Sequence, residues 1–135
     1  SFQVERNLEE VRKFFSGDKY ATKLTGIEIE DAKENYSRCT LVLNDDHKNL
    51  FGDVMGGALF TLADFAFAVA ANRPNDYTAT LTSEIRYLAQ SKGSVLTAEC
   101  KVVKNGRRTC FADIEIKDDL GVTVALVTAS GMHIK

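Results

Sequence analysis

Leu8, Val11, Phe14 and Phe15 recur at helical spacing, with Glu9, Glu10, Arg12 and Lys13 on the other side, so the pattern predicts a short amphipathic helix ending near Gly17. Residues 24–31 and 36–43 alternate or carry β-branched side chains and predict two strands, followed by a polar loop over 44–49. The run GGALFTLADFAFAVAA from Gly56 to Ala71 is rich in Ala and Leu without β-branched stretches, and it predicts a helix. It is apolar around nearly its whole circumference, which predicts burial on all sides. Asn72, Arg73 and Pro74 end it. Residues 78–88, 95–104, 108–117 and 122–134 predict four further strands, with Asn105-Gly106 a strong hairpin signal between two of them. Helix, two strands, buried helix, four strands is an α+β order. An antiparallel sheet curled around the central helix would bury it well.

Composition narrows this picture. At 135 residues and 44% hydrophobic, the chain has enough apolar mass for one core. The sole proline is Pro74, and no linker, low-complexity run or repeat divides the chain, so residues 1–135 are expected to form a single domain. A net charge of −2 without a basic block argues against nucleic acid as a partner. The longest apolar stretch, residues 54–71, is interrupted by Asp64, so no membrane span is expected. Ser1 in place of Met reads as a processed start, and the N-terminus carries no secretory pattern. Cys39, Cys100 and Cys110 are odd in number, and none forms a metal-ligand spacing with His47 or His133. They read as buried thiols in a reducing compartment, which points to the cytoplasm and to no metal site.

Asp64 is the only ionisable residue between Gly56 and Ala71. A carboxylate on an apolar helix costs several kcal/mol unless compensated. Its place in mid-helix excludes a capping role. It is therefore either an active-site group or a structural aspartate held by a backbone N–H or an arginine. Gly56 and Gly57 open the same helix, where unpaired N–H groups and the positive dipole end can polarise a substrate carbonyl. Gly-Gly there also serves tight packing. Asp64 lies eight residues beyond Gly56, ~12 Å along the axis at helical rise. One small reacting centre cannot touch both on one helix. If both act, a second subunit must bring its Asp64 near the first subunit's Gly56, as a two-fold dimer does twice.

The run His47-Lys48-Asn49-Leu50-Phe51-Gly52-Asp53-Val54-Met55-Gly56-Gly57, followed by Leu62-Ala63-Asp64, resembles the PaaI-type hotdog-fold thioesterases, whose pattern is close to H-x-N-x-x-G-x-x-H-G-G-x-x-x-x-L-A-D. The strand order, the Tyr87-Leu88 pair and the Asn105-Gly106-Arg107 turn are also similar to that family. The resemblance implies a hotdog fold, an antiparallel sheet wrapped around one long buried helix. It further implies hydrolysis of acyl-CoA thioesters, aryl-acyl or medium-chain among them, with no cofactor beyond the coenzyme A of the substrate. The partner it implies is the chain itself, as a homodimer or a homotetrameric dimer of dimers.

Residue by residue, the resemblance makes Asp64 the catalytic carboxylate, as general base or nucleophile, and Gly56 the backbone N–H donor to the thioester carbonyl. It makes Asn49 a holder of that carbonyl or of the water. Thr80, with Thr82 as the alternative, is the hydroxyl that orients water. Gly57, Met55 and His47 fall around the substrate, although His47 also suits a role bracing the loop. Lys104, Arg107 and Arg108 cluster at a hairpin turn, either as a solvated turn or as contacts to the coenzyme A phosphates. Met55 departs from the family, which has histidine there, and methionine donates no proton to a leaving thiolate. A thiolate leaves well without help, so reduced rather than absent activity is expected. The rival readings are a non-catalytic acyl-CoA binding or regulatory hotdog protein, and a hydratase or dehydratase, from which Met55 removes the obvious histidine.

Overall fold

The computed structural model describes residues 6–134. The amphipathic segment forms α1, Leu8–Phe15, with Asn7 accepting from the Glu10 N–H at its start. The strands are β1 Glu28–Lys33, β2 Tyr36–Val42, β3 Tyr77–Tyr87, β4 Val95–Asn105, β5 Thr109–Asp118 and β6 Thr123–Ile134, and α2 spans Gly56–Ala71. They form a six-stranded sheet in the order β1-β2-β4-β5-β6-β3, antiparallel at every pairing. β3 is an eleven-residue edge strand hydrogen-bonded to β6 alone among the described residues, an open ladder of the kind that pairs with another strand.

Alternation along β2, β4 and β5 turns Cys39, Leu41, Leu96, Ala98, Cys100, Cys110, Ile114 and Ile116 inward, where they meet Leu62, Ala63, Ala66, Val69 and Ala70 of α2. The alanines let the helix lie close to the sheet, close enough for the Ser37 hydroxyl to donate to the Ala66 carbonyl at 2.6 Å. Burial of a side chain such as Phe67, 2% exposed, contributes about 1.5–3 kcal/mol. The three cysteines are free and buried, and burial pushes the Cys39 thiol up to about 12 and raises the other two, which makes them inert. No helix among the described residues is long and apolar enough to cross a membrane.

Two expectations change. Leu24 and Thr25, expected to begin the first strand, instead end a π-helical turn, Tyr20–Thr25, closed by Gly26 at φ 92°, whose N–H donates to the Ala21 carbonyl, and β1 starts at Glu28. The Thr22 and Thr25 hydroxyls also turn back onto backbone carbonyls there, at Asp18 and Tyr20. Nor is α2 buried on every side of a single chain. Gly57, Phe60 and Asp64 are exposed, and Thr61 and Ala68 are half-buried, in one stripe at helical spacing. One sheet covers only the sides of a helix that face it, and here the uncovered side carries Asp64.

Candidate active site

α2 carries one half of the candidate chemistry at its start and the other, Asp64, at its middle. At its start, Met55 is the N-cap residue and no side chain caps the helix, so its first amides are not satisfied by a side-chain acceptor. The loop before it is built to hold this end in place. His47 is buried, its Nδ1 accepts from the Asn44 N–H at 3.1 Å, and its Nε2 lies 2.7 Å from the Thr25 carbonyl, which requires the proton on Nε2. Both ring nitrogens are thus engaged by the backbone, and the His47 carbonyl in turn accepts the Met55 N–H at 2.8 Å. Asn49 Oδ1 accepts from the N–H groups of Phe51 and Asp53, at 2.9 and 3.1 Å. This fixes the side chain and leaves its Nδ2 as the group able to donate to a ligand. Gly52, at φ 85°, makes the turn between them.

Asn49 and Gly56 line one cavity of about 430 Å³, with Asp53, Leu59, Tyr87 and Gln90. Tyr87 is a participant that its family likeness alone did not give a role. Its hydroxyl donates to the Gly56 carbonyl at 3.2 Å, and a Cβ at Gly56 would stand 3.0 Å from that hydroxyl. A side chain at this position would press on a close neighbour. At Gly57 a Cβ would meet nothing within 4 Å in the single chain. Met55 is 47% exposed at the same end.

Asp64 lines a different cavity, of about 510 Å³, shared with Phe14, Phe15, Asp18, Arg73, Tyr77 and Thr80. It reaches the surface of the single chain, yet its pKa is raised, first by desolvation among these neighbours and second by the negative charge of Asp18. Thr80 and Thr82 are separated by a bulge in β3. Thr80 pairs with Gly131, while Thr82 pairs with Ser130 and bonds its hydroxyl at 2.6 Å. A bulge re-aims side chains, and here it sends Thr80 to the cavity of Asp64 and Thr82 to the opposite face of the sheet, where it lines a groove with Ser130, Glu84 and Asp113. The end of α2 that supports this cavity is tied down by Arg6, which donates to the Val69 and Asn72 carbonyls at 2.6 and 2.9 Å. Burial and the nearby Arg73 lower the Arg6 pKa to about 10.

Lys104, Arg107 and Arg108 are exposed around the β4–β5 hairpin and line neither cavity. The hairpin is nevertheless anchored to the Asp64 end of the fold. Asn105 Oδ1 bonds His133 Nε2 at 2.7 Å, and His133 Nδ1 bonds the hydroxyl of Thr78, a residue of the Asp64 cavity, at 2.8 Å. Asp118 and Asp119, at and just after the end of β5, act as acceptors for a set of backbone amides. Asp118 accepts from the N–H groups of Lys92, Gly93, Leu120 and Val122, and Asp119 from those of Ser94 and Val95. They pin the loop that follows Gln90 and Ser91, which line the cavity of Gly56. No group of three or more His, Cys, Asp or Glu among the described residues is placed to hold a metal ion.

A carboxylate on the flank of a long helix, unpaired amides at the start of that helix, and an antiparallel sheet wrapped around it define the hotdog-fold hydrolases. Residues 51–125 match the thioesterase superfamily, and the chain belongs to that family. Its likeness is to the PaaI-type members, and it is a thioester hydrolase. It is 34% identical over 105 residues to the acyl-coenzyme A thioesterase PaaI of Escherichia coli, spanning 77% of this chain and 75% of that protein. The solved structure of the E. coli PaaI protein, from the phenylacetic acid degradation operon, superposes with a TM-score of 0.83 at 28% identity, covering 96% of this chain and 97% of that one. A hypothetical thioesterase of Streptococcus pneumoniae, solved with coenzyme A, superposes with a TM-score of 0.81 at 27% identity, over 89% and 96% of the two chains.

Proposed function

We propose that the chain hydrolyses acyl-coenzyme A thioesters to the free acid and coenzyme A, at a site shared by two copies of itself. The observation that carries this reading is the division of the chemistry along α2. The unpaired amides with Asn49 line one cavity, and the carboxylate with Thr80 lines another. At helical rise, Gly56 and Asp64 are ~12 Å apart. The exposed stripe of Gly57, Phe60 and Asp64, and the open edge of β3, are the surfaces on which a second chain would close the two halves together.

In the shared site, the Gly56 N–H of one chain and Asn49 Nδ2 polarise the thioester carbonyl. Asp64 of the other chain, with the Thr80 hydroxyl, holds a water. Asp64 removes a proton as the water oxygen bonds to the carbonyl carbon, and the negative charge on the carbonyl oxygen is met by the amide. When the tetrahedral centre collapses, the carbon–sulfur bond breaks, the thiolate departs, and the proton on Asp64 is released to it or to solvent. The raised Asp64 pKa supports the base role, because a carboxylate that holds a proton more firmly is a better base. Met55 offers no proton to the thiolate, which leaves without one. Arg107 and Arg108, at the hairpin tied to Thr78 through His133, would meet the phosphates of coenzyme A. His47 serves as the brace of the Asn49 loop.

The deciding experiment is Asp64→Asn, a substitution of nearly equal size. The variant is expected to keep its melting temperature within a few degrees and to lose thiol release by at least about 10²-fold, the lower end of general-base contributions. A variant that releases thiol at the wild-type rate per folded molecule overturns the assignment.

A further inference from the structure

Asp64 does not face its cavity alone. Phe15 of α1 packs edge-on against Phe65, with ring centroids 5.9 Å apart and planes at 87°, so the end of α1 is fixed beside the residue that follows Asp64. Three residues on, Asp18 is held by its own backbone. Its N–H donates to the Phe15 carbonyl at 2.9 Å, and its carbonyl accepts the Thr22 N–H at 2.9 Å and the Thr22 hydroxyl at 3.0 Å. Its carboxylate has no hydrogen bond or ion pair among the described residues, and it lines the same cavity as Asp64. Its backbone is fixed, its carboxylate shares the cavity of a second carboxylate, and no bond of the fold uses its charge.

We propose that Asp18 is a positioning residue for the hydrolysis, its charge standing across the cavity from Asp64 and making that carboxylate a stronger base toward the attacking water. This rests on the reading of Asp64 as general base. The other charged or titratable groups of the cavity lining are Arg73 and Tyr77. Arg73 acts on Arg6, whose protonated form it disfavours, and the inward faces of β2, β4 and β5 that pack on α2 bring it no charge, only apolar side chains, the Ser37 hydroxyl and the thiols of Cys39, Cys100 and Cys110, which burial keeps neutral. Of the charges lining the cavity, the like charge of Asp18 is the one that acts on Asp64, in the same direction as desolvation. The sign is fixed: a neighbouring negative charge disfavours ionisation of Asp64. Removing that charge keeps Asp64 ionised to lower pH but weakens it as a base.

The test is Asp18→Asn in the intact oligomer, read two ways. In the pH profile of kcat/KM, the acidic limb is expected to move to lower pH, with rates on that limb about two- to tenfold above wild type, the size of an exposed like-charge interaction. Asp18→Glu should restore the wild-type limb. High salt should move the wild-type limb toward that of Asp18→Asn, since partly exposed charges are screened. A structural role for Asp18 would move none of these. Independently of turnover, the Asp64 carboxyl carbon is titrated by NMR in both proteins. An unchanged Asp64 titration in Asp18→Asn overturns the proposal and leaves the general-base reading intact. A titration that moves while the kinetic limb stays fixed shows instead that Asp64 is not the base.

Discussion

Replacing Gly56 with alanine separates two reasons for a glycine at the start of α2. The added Cβ would stand 3.0 Å from the Tyr87 hydroxyl, 3.1 Å from its Cζ and 3.2 Å from its Cε1. These distances are a few tenths of an ångström short of ordinary contact, and Tyr87 is 55% exposed, so the ring can give way. Its 3.2 Å hydrogen bond to the Gly56 carbonyl would then be lost, at a cost of about 0.5–1.5 kcal/mol. Against this, alanine is favoured over glycine in a helix by up to about 1 kcal/mol. The two terms nearly cancel, so Gly56→Ala should melt within a few degrees of wild type. Its activity should not survive so well. A methyl group at this amide and a displaced Tyr87 both intrude on the carbonyl's approach, and loss of one aligned oxyanion donor costs about 10²–10³ in kcat. The assay is thiol release alongside thermal melting for Gly56→Ala, Tyr87→Ala and the double variant. If the glycine exists to admit substrate to the amide, the double variant stays slow even though the clash is gone. If Tyr87→Ala restores turnover to the Gly56→Ala chain, the glycine is there for the tyrosine, and the oxyanion role of the Gly56 N–H is refuted.

Two further outcomes follow from the same geometry. Mixing an Asp64→Asn chain with a Gly56→Val chain under subunit exchange should recover part of the lost thiol release, because one composite site in the mixed dimer holds an intact amide and an intact carboxylate. Exchange confirmed by mass spectrometry without recovery would show that the site is not shared. Asp118 is buried, and burial alone would raise its pKa, but the N–H groups of Lys92, Val122, Leu120 and Gly93 outweigh this and hold it below the ordinary carboxylate range. It therefore stabilises the fold above the unfolded-state value near 4, and that stability is lost as pH falls through the depressed folded value. Asp118→Asn should lower the melting temperature at pH 7 and narrow the gap to wild type in strong acid; an equal gap at both would refute the charge argument.

Much of the fold was legible because its elements carry unmixed signals. The alanine and leucine run of α2, the strand alternation and the Asn105-Gly106 turn each have one reading, and strand ends fell within a residue or two apart from β1. The late start of β1, at Glu28 rather than Leu24, has a physical cause. Leu24, Thr25 and Ile27 look like a strand, but Gly26 at φ 92° closes a helical turn, and His47, distant in sequence, holds the Thr25 carbonyl through Nε2. Local pattern does not contain that bond. The bulge at Leu81 was equally hidden, and with it the reason that Thr80 rather than Thr82 joins Asp64. In the site, Asp64 and Gly56 stood out because a lone carboxylate and paired glycines are unusual on an apolar helix. The bond of Tyr87 to the Gly56 carbonyl, and the place of Asp18 in the cavity of Asp64, left no local trace, since only tertiary packing brings them there. Asp118-Asp119 did leave one, as adjacent aspartates in a turn are apt acceptors for backbone amides.

The circumference of α2 joins the fold to the chemistry. A helix this apolar is expected to be covered all round, yet its own sheet covers it only on the facing sides. The uncovered stripe is not polar in the manner of a solvent-facing helix; besides Asp64 it holds Gly57, Phe60, Thr61 and Ala68. Small and apolar side chains around one carboxylate make a poor surface for water and a good one for a second chain. Covering the stripe would also withdraw Asp64 further from solvent, adding to the desolvation that already raises its pKa. The contact that brings a partner's amide within reach of Asp64 would thus strengthen Asp64 as a base. In the shared site proposed above, assembly and activation of the carboxylate are one event, and a dissociated chain would lack both the amide and part of the basicity that the reaction uses.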